Sequence, residues 1–422
     1  MKLKTLSTAM ILATLPMTGA FAAAMDRSGQ SIAAFLQPGN YFEAGFSVLD
    51  ADVSGTTSTS PLLGPATNQD TGDMASSYYF PTAALKFQVT DNFSFGLLYD
   101  QPFGAKAEYS GDSTAFSVVH PLEGLQTTNA EVHTQNLTAL FGFQPNENWN
   151  FYAGPVYQLA KGDVSLRGFA YGGGPLTGQA TGLGQYDATL KEDEAFGWAA
   201  GFAYQIPEIA LKASLTYRSE IKHELESVET MGYGTVPAAN AVIGLGGTPT
   251  AGETEVTTPQ SVNLDLQSGI MADTVAFLNV RWVDWSDFAI RPNYFGQIID
   301  QAATVGAIPA NLRGGNLVEY NKEQWSATAG VGRKFSEKWA GNVSVGWDSG
   351  AGNPVTTLGP TEGYWNVGLG LQYSPTPATF IAGGVKYFWL GDARALTIAN
   401  PNVGEFEDNN AIGYGLKIGY RF

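Results

Sequence analysis

The sequence predicts an all-β fold, a fourteen-stranded antiparallel transmembrane β-barrel. Three observations predict it: apolar and polar residues alternate along most of the chain, short and long connections alternate between segments, and aromatic residues collect where segments end. Successive side chains of a strand point to opposite faces, and membrane barrels show this alternation in segments of about ten residues. The segments begin near residues 41, 78, 93, 134, 148, 193, 208, 260, 273, 322, 337, 363, 378 and 410.

The last segment, "AIGYGLKIGYRF", shows the alternation clearly. Tyr414, Leu416 and Phe422 share one face with other apolar residues, whereas Lys417 and Arg421 share the opposite face with glycines. We expect the first face to contact outer-membrane lipid and the second to face a lumen. Because a bilayer core has no water for unpaired backbone groups, this strand should also close the barrel. The strand ends in an aromatic residue, which resembles the terminal residue that outer-membrane barrels commonly present to their insertion machinery. We therefore expect that machinery to be a partner.

The connections between segments alternate regularly in length. Fourteen antiparallel strands with both ends on one side require six connections at one end and seven at the other, and membrane barrels have short periplasmic turns and longer outer loops. A secreted sandwich would explain the alternation along strands but not this rhythm, nor a charged content of only 14%. The short connections are 90–92, 145–148, 206–208, 268–273, 336–338 and 374–377, and the long ones are 51–77, 110–132, 168–191, 227–258, 286–318, 350–361 and 391–409.

The first residues and the composition limit the compartment and the partners. Two lysines precede an apolar run that ends in small residues, so residues 1–24 are predicted to be a signal peptide, cleaved after Ala22 or Ala24. The chain has no cysteine and no EF-hand pattern, and we expect no cofactor and no metal site. A net charge of −17 argues against nucleic acid as a partner. The acidic outer loops could bridge lipopolysaccharide phosphates through divalent cations, although solvated charge is the simpler explanation.

The third segment carries "YDQPFGAKAEY", which should interrupt strand pairing. Pro102 has no N–H to donate to a ladder, and Gly104 has no side chain to pack. A gap in the wall at this point would be a sideways exit toward lipid. A bulge that merely bends the strand would explain the same residues.

Two outer loops are unusually apolar. Exposed apolar patches usually mark a binding surface, so these loops are candidates for capturing a hydrophobic substrate. They could equally pack on each other and cover the barrel mouth. The second loop, 293–308, has the spacing of one helix face. The candidate capture residues are Val236, Val242, Ile243 and Leu245 in the first loop, and Phe295, Ile298 and Ile299 in the second.

Segment seven, "LKASLTYRSEIKHE", predicts charged side chains in the lumen. Its alternation sets Lys212, Arg218, Glu220 and Lys222 opposite an apolar face. The cations Arg218 and Lys222 could guide a carboxylate headgroup. Such charges could instead pair across the interior and simply keep it wet.

Several short stretches resemble the FadL-type outer-membrane transporters of long-chain fatty acids and other hydrophobic compounds. They are "DNFSFG" with "FGAKAEY", "FGWAAGFAY", "TYRSE", "WSDF" and "WDSG", and their order and spacing agree from about residue 40 to the end. The resemblance implies a fourteen-strand barrel in a bacterial outer membrane, with an N-terminal hatch in the lumen. It also implies capture of substrate between outer loops and sideways exit at a kink in strand three.

The resemblance also assigns residues by position. It implies a short hatch-like segment at 25–40 followed by the barrel at 41–422, and it places the kink on Pro102, Phe103 and Gly104. Further candidate carboxylate-binding cations are Arg167, Arg313 and Lys322. The Asn-Pro-Ala stretch of the family hatch is missing here. We therefore expect a reduced hatch, with a neck that is wider or filled by an inward loop.

These features predict a channel and not an enzyme. We expect passive uptake of hydrophobic compounds, with long-chain fatty acids as the first candidate. Aromatic or alkane hydrocarbons are the close alternative, and a general porin for polar solutes is a further one. An enzyme would need a general base, and the three histidines, His120, His133 and His223, have no nucleophile motif beside them.

Overall fold

The computed structural model describes residues 24–120, 124–172, 185–231, 248–306 and 309–422. The predicted signal peptide, apart from its last residue, lies outside the described residues. The same holds for four predicted capture residues, Val236, Val242, Ile243 and Leu245. Among the described residues, no helix is both long and apolar enough to cross a membrane.

Fourteen antiparallel strands form one closed barrel, as the sequence predicts. The first strand pairs with the last along its whole length, with Tyr41 opposite Arg421, so this sheet has no free edge there. The strands are β1 (Tyr41–Asp52), β2 (Tyr78–Gln88), β3 (Phe93–Asp100 and Gly104–Glu108), β4 (Asn129–Phe143), β5 (Trp149–Leu166), β6 (Tyr186–Ile206), β7 (Leu211–Arg218 and Ile221–Met231), β8 (Thr250–Thr258 and Ser261–Met271), β9 (Thr274–Val283), β10 (Gln324–Lys334), β11 (Trp339–Asp348), β12 (Tyr364–Thr376), β13 (Thr379–Leu390) and β14 (Asn410–Arg421).

Several strands extend farther into the long loops than the sequence predicts. The sixth strand begins at Tyr186 rather than near 193, and the fourth begins at Asn129 rather than near 134. In these extensions the outward residues are charged or polar, such as Lys191, Glu131 and His133. The extensions therefore lack the apolar alternation that marks a strand against lipid. A prediction from that alternation begins these strands several residues too late.

The outer surface of the barrel carries the apolar face of each strand. On β14, Tyr414, Leu416 and Ile418 are exposed whereas Lys417 is buried inside, as predicted. Exposed aromatics mark both ends of the apolar band, which is where the membrane interfaces lie. Trp149 and Trp339 lie near the short turns, and near the long loops lie Trp198, Trp325, Trp347, Trp365 and Trp389.

The long loops fold together over one end of the barrel. Their apolar residues form a core with the ends of the strands, and Trp285 lies fully buried in it. This ring packs edge-on against Phe103, Phe288 and Tyr320, at 4.9–5.4 Å between ring centroids. The loop after β9 contains the α-helix α1 (Asn293–Thr304), as its apolar spacing predicts.

Candidate functional site: a seam in the barrel wall

A stretch of the wall between β2 and β3 lacks strand pairing. The ladder ends at Ala83 opposite Tyr99, and one isolated bridge follows farther along. Residues 76–82, which lead into and begin β2, and residues 100–106, which span the break in β3, therefore do not pair with each other, and all of them are described. We call this stretch the β2–β3 seam. Pro102 lies at the break in β3, where the sequence predicts a fault.

The N-terminal segment occupies the seam from inside the lumen. The N–H of Gly104 donates to the carbonyl of Met25 at 2.9 Å, and the N–H of Arg27 donates to the carbonyl of Pro102 at 2.7 Å. A Cβ on Gly104 would lie 2.6 Å from the Arg27 guanidinium carbon, so the absence of a side chain allows this close approach. The segment thus supplies backbone partners that the neighbouring strand does not.

A buried ion pair fixes this segment to the opposite side of the lumen. Asp26 Oδ2 accepts from Arg281 Nε on β9 at 2.6 Å, and Oδ1 accepts from Nη2 at 3.1 Å. The same guanidinium donates to Asn263 and Gln30. Asp26 and Arg281 are 3% and 1% exposed, so removing either residue would take away the direct partner of a buried charge. Sequence reasoning missed both residues, because a single inward arginine does not stand out in an alternating strand.

The following residues anchor the segment below the seam. Phe35 is 1% exposed and packs edge-on against Tyr152 of β5, with ring centroids 5.7 Å apart. Lys212 Nζ donates to the carbonyl of Leu36 at 3.0 Å, and Lys86 Nζ donates to that of Gln37 at 2.7 Å. Beyond these lysines, a cavity of about 710 Å³ with both polar and apolar lining residues extends toward the short turns. The short N-terminal segment is therefore docked inside the barrel.

An apolar cavity of about 40 Å³ adjoins the seam on the long-loop side. Met25 and Phe103 line it on one side, Trp285 and Phe288 cover it, and strands β4 to β8 form its wall. This volume is roughly three times what a water molecule needs. Lys161 is the one cation among the lining residues, and its side chain is exposed on the opposite face of β5. The cavity surface is apolar.

The apolar face of α1 points into the loop core and is not exposed. Phe295 and Ile298 are buried, and Ile299 packs partly against the same core. The expectation of an exposed apolar patch is therefore wrong for these residues, and in this structure they cover the barrel. Glu229 of β7 holds the helix in place: its two carboxylate oxygens accept the N–H groups of Tyr294 and Phe295 at 3.0 and 2.8 Å. Glu229 is fully buried and was not anticipated from the sequence.

The predicted carboxylate-binding cations do not come together. Arg167 is held by Asp187, with Nη2 at 2.8 Å from Oδ1, and it also donates to Gln126 and two carbonyls. Arg218 faces the lumen as predicted and is buried near Asp100, at the end of the β2–β3 seam. Arg313 and Lys322 are exposed loop residues. None of these residues lines the apolar cavity.

Lys222 was expected in the lumen, and the structure corrects this. Its side chain is exposed outside the barrel and pairs with Glu255 at 2.6 Å. The cause is the break in β7 at residues 219 and 220, which reverses the faces of the strand. Arg218 points inward before the break, and His223 points inward after it. Glu220, also expected in the lumen, is exposed at the break itself.

Comparisons with known proteins identify the family. A family model described as outer membrane protein transport protein (OMPP1/FadL/TodX) matches residues 22–422. The chain belongs to this family. The membership and the closed barrel place this FadL/TodX-family protein in the bacterial outer membrane, with the long loops outside, and make it a transport protein rather than a member of an enzyme family.

Solved structures support the fold of this FadL/TodX-family barrel. A FadL homologue from Pseudomonas aeruginosa has 17% identity and a TM-score of 0.71, covering 97% of this chain and 99% of its own. The toluene transporter TodX from P. putida has 12% identity and a TM-score of 0.60, covering 96% and 94%. A structure described as CymD monoaromatic hydrocarbon channel has 11% identity and a TM-score of 0.55, covering 92% and 89%. Among curated protein sequences, none matches this chain significantly.

Proposed function

We propose that this protein is a passive channel for small uncharged apolar compounds, which leave sideways into the membrane through the β2–β3 seam. One observation carries the proposal: the apolar cavity ends at Met25 and Phe103, the two residues that lie at the seam. A substrate in this cavity has only the N-terminal segment between itself and the gap in the wall. The names of two structural relatives, a toluene transporter and a monoaromatic hydrocarbon channel, agree with this substrate class.

A long-chain fatty acid is the second candidate. It remains a candidate because the family includes FadL and because Arg218 is a buried cation near the seam. A carboxylate would, however, have to compete with Asp100 and Asp265, which lie near the same guanidinium. An uncharged substrate needs no such exchange, and burial of its apolar surface supplies the binding free energy.

A general porin for polar solutes fits the geometry less well. Residues 25–37 fill the lumen at the level of the seam, and the loop core with α1 covers the outer mouth. Polar solutes would meet a buried ion pair and an apolar layer in succession. Both layers would have to move before water could connect the two sides.

The test uses a reversible lock on the seam. Ser28 Oγ donates to the carboxylate of Asp100 at the end of the first β3 segment, so these two side chains face each other, and cysteines are placed at both positions to form the lock. The chain has no native cysteine to interfere. In an outer-membrane host without its own importer, uptake of labelled naphthalene and labelled oleate would be measured with Ser28→Cys/Asp100→Cys, oxidised and then reduced.

The proposal expects naphthalene uptake that stops on oxidation and returns on reduction. The comparison is between two states of the same protein, so any cost of the substitutions cancels. Each single-cysteine variant serves as a control and should not respond to oxidant. Uptake of oleate alone would favour the fatty-acid candidate. Unchanged naphthalene uptake in the oxidised double variant would refute exit through the β2–β3 seam.

A further inference from the structure

The barrel wall has a second stretch without strand pairing, between β6 and β7. The ladder runs from Tyr186 to Leu190 on β6 and begins again only at Ala199, which pairs with Arg218. Residues 191–197 and 220–226, all of them described, have no strand pairing with each other, and most of them pair with their other neighbours. At the lower end of this stretch the N–H of Ser219 donates to the carbonyl of Trp198 at 3.0 Å. We call this stretch the β6–β7 seam. It is about as long as the β2–β3 seam.

Three adjacent strands are irregular at this level. The register of β6 against β5 shifts between Leu190 and Asp193, and both β7 and β8 break, at 219–220 and at 259–260. Pro259, which has no N–H to donate, lies in the second break. One fault would be a local bulge. Three faults side by side produce a weak line across the wall.

The inner side of the β6–β7 seam borders the same apolar cavity. Leu190 and Leu225, which lie at the seam on β6 and β7, line the cavity together with Val256 of β8. The opposite side of the cavity is formed by Met25 and Phe103 at the β2–β3 seam. One small apolar space therefore adjoins both gaps in the wall.

Above the backbone bond between Ser219 and Trp198, side-chain contacts close the β6–β7 seam. The Ile221 side chain lies across Gly197, where an added Cβ would come within 2.6 Å of Ile221 Cγ1. Asp193 Oδ2 lies 2.9 Å from His223 Nδ1 and accepts the N–H of Glu224 at 3.3 Å. Such contacts can separate by rotamer changes, without breaking a continuous ladder.

The outer side of the seam lies at the membrane interface. Phe196 and Trp198 are 71% and 52% exposed at its lower end, where an aromatic girdle meets the headgroups. Above them, Lys191 pairs with Glu226 at 2.9 Å on the outer surface. A compound dissolved in the outer leaflet can reach this level without crossing the loop core.

We propose that the β6–β7 seam is a second lateral opening, through which uncharged apolar compounds pass from the outer leaflet into the cavity. The inference rests on the proposed function, because it takes the cavity as part of the transport path. Entry occurs at the β6–β7 seam and release at the β2–β3 seam. Ile221 is the residue that covers the entry, and the Asp193–His223 contact keeps the two strands together when no substrate passes.

The test locks the β6–β7 seam in the full-length protein. Cysteines in Gly197→Cys/Ile221→Cys would have Cβ atoms within disulfide reach, given the short distance between these positions. Asn342→Cys/Gly370→Cys is the matched control, because these residues are directly paired in the regular β11–β12 ladder and face the lumen. Labelled naphthalene uptake is measured for both before and after oxidation, beside Ser28→Cys/Asp100→Cys. Ile221→Ala is measured without oxidant.

The expected result is uptake that falls to the level of cells without the protein when the Gly197–Ile221 lock is oxidised, and that returns on reduction. The control lock should leave uptake unchanged, and Ile221→Ala should raise it. If the Ser28–Asp100 lock blocks uptake but the Gly197–Ile221 lock does not, the second opening is refuted and the proposed function stands. An equal loss of uptake with the oxidised Asn342–Gly370 control lock also refutes the second opening. If naphthalene uptake never exceeds that of empty cells, both the proposed function and the second opening fail.

Discussion

Replacing Asp26 by Asn should release the N-terminal segment from the β2–β3 seam. The substitution keeps the shape of the side chain but leaves the Arg281 guanidinium, which is 1% exposed, without its counter-charge. Removing one partner of a buried pair costs about 3–5 kcal/mol. The two backbone hydrogen bonds that join the segment to β3 contribute about 1 kcal/mol each. The lost charge pairing therefore exceeds what these two bonds supply.

Only the first residues of the segment should detach. Phe35 stays packed among lumenal side chains, and Lys86 and Lys212 still bind the carbonyls near it. Hydrogen exchange of residues 25–29 should rise toward that of a free peptide, whereas residues 32–37 stay protected. Ion conductance of the purified protein in planar bilayers should stay low, because residues 32–37 and the loop core still close the lumen.

A charge-balanced double variant provides the control. Asp26→Asn with Arg281→Gln removes both buried charges, and replacing a whole buried pair is often nearly neutral. Exchange of residues 25–29 should then return most of the way to that of the unmodified protein. If Asp26→Asn alone leaves the exchange of residues 25–29 unchanged, the ion pair does not hold the segment, and the reasoning fails.

Three further predictions concern the cover and the seam. Glu229→Ala should free the start of α1, because each of its two helix N–H bonds to a buried carboxylate contributes about 1.5–3 kcal/mol; exchange of the helix should rise, and Gln should do less damage than Ala. The N–H of Gly314 holds the pKa of Asp300 below its usual value, so the Asp300 carboxylate stabilises the α1 loop fully at neutral pH. This stabilisation is lost as the pH falls through the lowered pKa, and hydrogen exchange of the loop should then rise. Asp300→Asn should abolish this acid-dependent rise. Gly104→Ala should displace Arg27 and lower the thermal stability of the closed form, whereas unchanged stability would contradict the observed close approach.

The alternation of side chains predicted the barrel and all fourteen strands, because contact with lipid imposes it on every one of them. The prediction of strand ends failed where contact with lipid ends. On β6 the stretch from Tyr186 to Lys191 continues the strand beyond the membrane, so water and not lipid meets its outer face. Nothing in a sequence of mixed polar residues distinguishes such an extension from a loop.

The wall faults differ in how far the sequence reveals them. Pro102 in β3 and Pro259 in β8 cannot donate to a ladder, and the first was predicted as a fault on that ground. The break in β7 at residues 219 and 220 involves Ser and Glu, which have no such marker, and it reversed the expected side of Lys222. The hydrogen bonds between residues 25–37 and the barrel join residues from 49 positions apart, at Gln37 and Lys86, to 255 positions apart, at Asp26 and Arg281, and local patterns carry no information on them.

The positions of the two seams in the wall have an energetic explanation. An unpaired backbone group in hydrocarbon costs several kcal/mol, so a long gap is tolerated only where water or another partner is present. The β2–β3 seam lies opposite Gln135 and His133 of β4, at the polar edge of the apolar band, and residues 25–27 supply backbone partners from inside. The β6–β7 seam begins at Trp198 and extends outward, where the interface itself solvates the strands, so side chains suffice to close it. At the bilayer centre no water is available to the backbone, so the strands there must be paired continuously. A continuously paired wall has no lateral opening.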